Sequence, residues 1–349
     1  VATGMNGFRG FAGFRKDAPR LAARCFTARC IRIKKDNQVM KTVPKSMFCH
    51  AMSVRNRPVI SVNPGEIFRV ETEDCYSGSL RSRKDIFTEE LWKKGVNPAT
   101  GPVFIRGAMP GDVLKVDILK ITTRAHAVMC LQHGIGALAD YVEGVETSLF
   151  EIKSDKLIAD RGVALPVRTM IGVIGTAPAG RAIRNGVPGE HGGNMDCNRI
   201  TAGTAIYLPV NCRGALLALG DLHAVMGDGE TAGCGAEVSG AVTLKTALLK
   251  TRLPTPCLEA DDCVYFIGSA KTLDGCEKIV LNKAVTFLTQ CLGLKPNEAA
   301  RFMSLAGDLE VCQVVDPLKT MRLRLPKELF RKLGFKTFAA IVGRKKAGR

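Results

Sequence analysis

Residues 204–230 read TAIYLPVNCRGALLALGDLHAVMGDGE. Two apolar runs, TAIYLPV and ALLALGDLH, flank NCRG, a connection of hairpin length, which predicts two strands joined as a hairpin. In a strand through 215–223, period-2 alternation places Leu217, Leu219, Asp221 and His223 on one face. The glycine-flanked turn Gly227-Asp228-Gly229-Glu230 then returns two more carboxylates to the same end. The same pattern recurs outward. In NPGEIFRVETED, Phe68, Val70, Thr72 and Asp74 share a face; in MPGDVLKVDILKI, Leu114, Val116 and Ile118 oppose Lys115 and Asp117; SGAVTLKTALL is another strand. Short strands between Gly/Pro turns predict a mainly β protein, a sandwich or barrel. Helices come late. LNKAVTFLTQCLG has Ala284, Val285, Leu288, Cys291 and Leu292 at helical spacing, and KPNEAARFMSLAG has Pro296 in the first turn and Gly307 as a stop. DLEVCQVVD follows as a strand.

The 349 residues suffice for a sizeable core. Charge divides the chain. Net charge is +17 overall, of which residues 1–39 carry +7 and residues 321–349 carry +9, leaving about +1 for the body. The expected organisation is a basic extension over 1–39, a β-rich catalytic domain over 40–254, an α+β subdomain over 255–330 and a basic tail over 331–349. The Arg-rich, acid-poor first segment has the composition of an organelle transit peptide. The favoured alternative is an extension ahead of a working protein that starts at Met40, with cytoplasmic location. The basic ends could hold phosphate backbones, but neither aromatic interleaving nor zinc-knuckle spacing accompanies them, so no nucleic-acid partner is expected. No apolar run reaches 18 residues, so no membrane helix is expected. The thirteen cysteines include no CxxC pair and read as reduced thiols.

Two clusters carry candidate chemistry. An imidazole and carboxylates around Asp221, His223, Asp228 and Glu230 form a ligand set for zinc or a similar metal, with a spare Glu for proton transfer. VPGEHGGNMDCNRI adds His191, two glycines that admit a close approach, Asn194 and Asp196. Asp74 is a third acid, costly to bury unpaired. Each feature also reads as an ordinary polar turn. Cys75, Cys197 and Cys234 lie near these clusters, so a Cys–His nucleophile is the weaker option. His50, His126 and His133 lack comparable acid neighbours. GVIGTAPAG does not match the dinucleotide fingerprint, and no phosphate-loop motif occurs.

NPATGPVFIRGAMPGDVLKVDI, GVIGTAPAG, VPGEHGGNMD, YLPV, GALLALGDLHAVMGDGE and AGDLEVCQVVDPLKTMRLRLPK occur in that order. Together they resemble the acetamidase/formamidase family from about Ser53 to about Phe330. The resemblance implies a jelly-roll-like β-sandwich, a second small β unit and a C-terminal α+β subdomain. It implies hydrolysis of a short amide with release of ammonia, or of a lactam, since the family contains lactam-cleaving members. It also implies a divalent metal, most simply zinc with calcium as the alternative, among Asp74, His191, Asp196, Asp221 and His223. Glu230 would move the proton, Asn194 would help the oxyanion, and Asp228 of the same turn is a further catalytic candidate. A homodimer or higher homo-oligomer is expected. The rival reading is a non-catalytic β-sandwich module holding a structural calcium.

Overall fold

Apolar alternation builds the sheets. In Ile67–Thr72, Phe68, Val70 and Thr72 are buried and Ile67 is exposed. In Val113–Thr123, Leu114, Val116 and Ile118 are buried, while Lys115 and Asp117 pair at 2.6 Å on the other face. The computed structural model describes residues 40–343, so the expectations for residues 1–39 lie outside the described residues.

Among the described residues, nine strands form one sheet and eleven form another. The first sheet places Gly240–Leu249 between Ile67–Thr72 and Val113–Thr123. It continues through Ala205–Pro209 and Cys257–Glu259 to Cys263–Ala270, Lys319–Pro326 and Asp308–Gln313. In the second sheet, Leu217–His223 pairs with Met170–Gly175 on one edge and with Ala99–Ile105 and Glu237–Val238 on the other. Leu217, Leu219 and Leu222 of the second sheet share one core with Phe68, Val116 and Leu244 of the first. The protein is therefore mainly β, with two sheets stacked face to face.

The C-terminal helices cover the outer side of the first sheet. Leu273–Thr286 starts where the Thr272 hydroxyl accepts the Gly275 N–H at 3.1 Å, eight residues before the sequence pattern becomes helical at Leu281. It runs into a π-helical turn, Phe287–Cys291, whose Phe287 packs with Phe266 in a second core. Pro296–Ala306 begins at its proline and stops at Gly307 as the sequence predicts.

Three readings need correction. The NCRG connection does not close a hairpin: Ala205–Pro209 lies in the first sheet and Leu217–His223 in the second. Gly214, Ala215 and Leu216 are all left-handed, at φ 80°, 58° and 56°, and swing the chain from one sheet to the other. The alternation through residues 215–223 also breaks. Leu217, Leu219, Leu222 and Ala224 face the main core while Ala218 faces away from it, so the phase shifts by one residue at Asp221, whose φ is 58°. Residues 331–343 are not a tail, because Phe335 and the helix Phe338–Val342 close over Phe287 and Phe330.

Candidate active site

The left-handed Asp221 decides what the Leu217–His223 strand presents. Strict alternation would aim Asp221 and His223 at the apolar core with Leu217 and Leu219. The phase shift gives that place to Leu222 and turns the two polar side chains the other way. Glu237 lies directly opposite His223 in the antiparallel pair, and its Oε1 is 3.2 Å from His223 Nε2. Such cross-strand neighbours are within side-chain reach by register alone. From the other flank, Asn194 pairs with Val173, and Asp196 follows in a left-handed conformation at φ 42°. Asp196 Oδ1 and Asp221 Oδ1 lie 3.9 and 3.6 Å from His223 Nε2.

Gly172 sits between the two aspartates. A Cβ there would come within 2.5 Å of Asp196 Oδ1 and 2.8 Å of Asp221 Oδ2, so only glycine leaves room for both carboxylates. A Cβ on Gly235 would meet His223 Nδ1 at 2.7 Å.

Glu230 arrives from the glycine turn with φ 47°, the third acid of the site in the left-handed region. Non-glycine residues rarely hold that conformation, and those that do concentrate at functional sites. The C-terminal strands fix this turn. Gly229 donates to the Cys312 carbonyl at 2.8 Å and accepts from Val314 N–H at 3.1 Å. Arg322, fully buried, donates to both oxygens of Asp228 at 2.9 and 2.7 Å and also pairs with Glu310. Asp228 thus anchors the turn.

Ligand-type atoms cluster in three overlapping groups, each within 4.8 Å: Asp196, Asp221 and His223; His223, Glu230 and Glu237; and Cys75, Asp221 and Glu237. All of these residues are buried. Asp196 Oδ1 and Oδ2, Asp221 Oδ1, His223 Nε2 and Glu237 Oε2 have no hydrogen-bond partner. Buried polar atoms are ordinarily paired, so a cluster of orphaned acceptors has the chemistry of a cation site. The electrostatics agree. Burial, then the charges of Asp316 and Asp221, pushes Asp196 well above the usual carboxylate range. Burial, then Asp196, does the same to Glu230, and burial raises Glu237 to about 7. For His223, burial alone would lower the pKa, but Glu237 and Asp221 outweigh it and hold it well above the ordinary value. These buried groups could hold a metal ion. An imidazole nitrogen among carboxylate oxygens suits zinc or a similar ion.

Asp74 and His191 stand outside these groups. Asp74 Oδ1 accepts the N–H groups of Tyr76 and Gly78, both at 3.0 Å, and so shapes the loop that carries Cys75. His191 is buried with an unpartnered Nε2, and burial lowers its pKa to about 4. Asn194 gives one Nδ2 hydrogen to Asp316 at 2.9 Å and keeps a free, buried Oδ1. The cysteines are poorly placed as nucleophiles: burial pushes Cys75 well above the ordinary thiol value and Cys234 up to about 12. Cys197, held at about 7 chiefly by its hydrogen bond with Cys312, belongs to the main core. Sequence reasoning missed Glu237, Asp316 and Asn97, which donates to Asp221 Oδ2 at 3.1 Å. A lone acid in the apolar run Ala236–Val242 was the available hint for Glu237.

A cavity of about 610 Å³ opens onto the cluster and is lined at its polar end by Asn194, Asp221, Glu230, Glu237 and Asp316.

The model of the acetamidase/formamidase family matches residues 52–186 and 179–331. The chain is similar to the formamidase of Methylophilus methylotrophus, at 28% identity over 254 residues, 55% of this chain and 62% of that protein. It spans about three fifths of the length of the first curated relatives it matches. Among solved structures it resembles the acetamidase of Bacillus halodurans, with TM-score 0.82 and 43% identity over 84% of this chain and 100% of that one. The acetamidase of Yersinia enterocolitica aligns with TM-score 0.78 and 28% identity, covering 84% of this chain and 94% of that one.

Proposed function

This chain belongs to the acetamidase/formamidase family, and we propose that it hydrolyses the C–N bond of linear amides to a carboxylate and ammonia. The observation that carries the reading is the set of orphaned polar atoms on Asp196, Asp221, His223 and Glu237, of which Asp221 and Glu237 line the cavity. A divalent metal held by Asp196, Asp221 and His223, with Glu237 beside them, would supply Lewis acidity that acidifies water and polarises an amide carbonyl. Zinc fits better than calcium, which takes oxygen ligands alone.

The chain's own residues do the rest. Glu230 borders the cavity and shares a group with His223 and Glu237. Its raised pKa suits a residue that takes a proton from water and releases it to the departing nitrogen. Hydroxide adds to the carbonyl carbon, the C–N bond breaks, and the nitrogen leaves protonated. Asn194 Oδ1 is free to accept an amide N–H and so to orient the scissile group. The Asn194 amide nitrogen, already donating to Asp316, has one hydrogen left for an oxyanion.

The purified, metal-loaded protein is expected to release ammonia from acetamide. Glu230→Gln should lower kcat by roughly 10²–10⁴-fold while metal content stays unchanged. A variant with wild-type turnover removes Glu230 from the mechanism.

A further inference from the structure

The cavity has an aromatic wall whose chemistry the reacting group does not use. Tyr76 follows Cys75, a member of the group with Asp221 and Glu237. Its ring packs on Phe87 at 5.2 Å between centroids, and Phe87 packs edge-on against Trp92 at 5.1 Å. All three rings line the same cavity as the carboxylates. Tyr76 and Phe87 are buried and Trp92 is 42% exposed, so the series runs from the interior to the mouth. The Tyr76 hydroxyl accepts the Cys130 N–H at 3.1 Å, which occupies its polar end and leaves the ring as an apolar surface. Val96 and Ile135 add aliphatic wall. Lys93 and Lys94 also border the cavity, but they pair with Glu89 and Glu90 at 3.0 and 2.9 Å.

Size points the same way. Acetamide has about four heavy atoms, and at roughly 30 Å³ each, the share of a water molecule, it occupies on the order of 100 Å³. The cavity of about 610 Å³ is several times larger than that, and the aromatic rings are part of its wall. We propose that this wall receives the acyl group of the substrate, and that the preferred substrates are primary amides with a bulky apolar acyl group, of the benzamide or phenylacetamide type. The proposal rests on the amide-hydrolase reading above. Edge and face contacts with Tyr76, Phe87 and Trp92 would hold an aromatic ring, with the carboxamide at the Asn194 and Glu230 end.

The experiment compares kcat/KM for acetamide, benzamide and phenylacetamide in the metal-loaded protein and in Trp92→Ala and Phe87→Leu. A single methylene in an apolar pocket is worth on the order of tenfold or more, so an aromatic amide should exceed acetamide by at least that factor. Both variants should reduce the ratio of aromatic amide to acetamide. Trp92 is half-exposed, so its removal leaves the core intact. If acetamide is turned over and both aromatic amides are equal to it or poorer, this proposal fails and the amide-hydrolase reading stands. If none of the three releases ammonia, both fail.

Discussion

At Glu237, burial and the Asp221 carboxylate raise the carboxyl to about 7 against the pull of His223, from an ordinary 4.5. The folded, metal-free chain therefore holds this proton more tightly than the unfolded chain does. Stability from that group is complete below pH 4.5 and is lost as pH rises through about 7. One such proton gives a slope of at most about 1.4 kcal/mol per pH unit. His223, also raised, acts in the same sense. Urea denaturation of chelated protein across that window should show falling stability, and bound metal should flatten the profile. A metal-free protein that grows more stable over the window contradicts this electrostatic picture. Asp196, Asp221, His223 and Glu230 were legible in the sequence, because histidine, glycine and acid stood within a few positions of one another. His191 and Asp74 carried similar local signals, yet the structure leaves both outside the ligand groups. Glu237 reaches the site through strand register, and Asp316 through a loop 122 residues from Asn194. A lone acid in an apolar run is the only local trace of the first relation, and the second leaves none.

Among the elements, the strand Lys319–Pro326 governs the turn that presents Glu230. Arg322 grips Asp228 with two nitrogens, and the neighbouring strand end holds Gly229. Removing one partner of a buried ion pair costs about 3–5 kcal/mol. Arg322→Met should therefore lose stability toward the lower part of that range, since the Asp228 side chain is 41% exposed. It should also lower kcat by loosening the turn. Arg322→Lys keeps the charge but cannot repeat the two-pronged contact, so it should recover only part of both losses. Urea unfolding and ammonia release measure the two effects. Unchanged values for Arg322→Met would mean that the turn is held without the arginine. The strands themselves were legible through alternation, as at Phe68, Val70 and Thr72. Their partners were less so. The length of NCRG fits a hairpin, and only the left-handed run at Gly214, Ala215 and Leu216 shows that the chain changes sheets. The phase shift at Asp221 has the same origin, a backbone torsion that composition does not encode.

For the molecule as a whole, mainly β character was legible because short alternating runs and Gly/Pro turns extend over most of the chain. The basic charge was a poorer guide. Toward the C-terminus, Arg322 is buried, and Arg324, Lys327 and Arg331 pair with Asp308, Glu259 and Glu328 at 2.7, 2.9 and 2.7 Å. Among the described residues there, these cations are held in internal pairs. Among the described residues no helix is long and apolar enough to cross a membrane. The C-terminal strands Asp308–Gln313 and Lys319–Pro326 and the loop between them also shape the candidate site, through Gly229, Asp228 and Asp316. On the proposed reading, the acids around His223 hold a metal without which no amide is cleaved. The most direct measurement is a titration of metal-free protein with zinc while ammonia release from acetamide is followed. The rate should be near zero at the start, rise in proportion to added zinc and level off at about one equivalent per chain. A full rate in the chelated protein, before any metal is added, would contradict it.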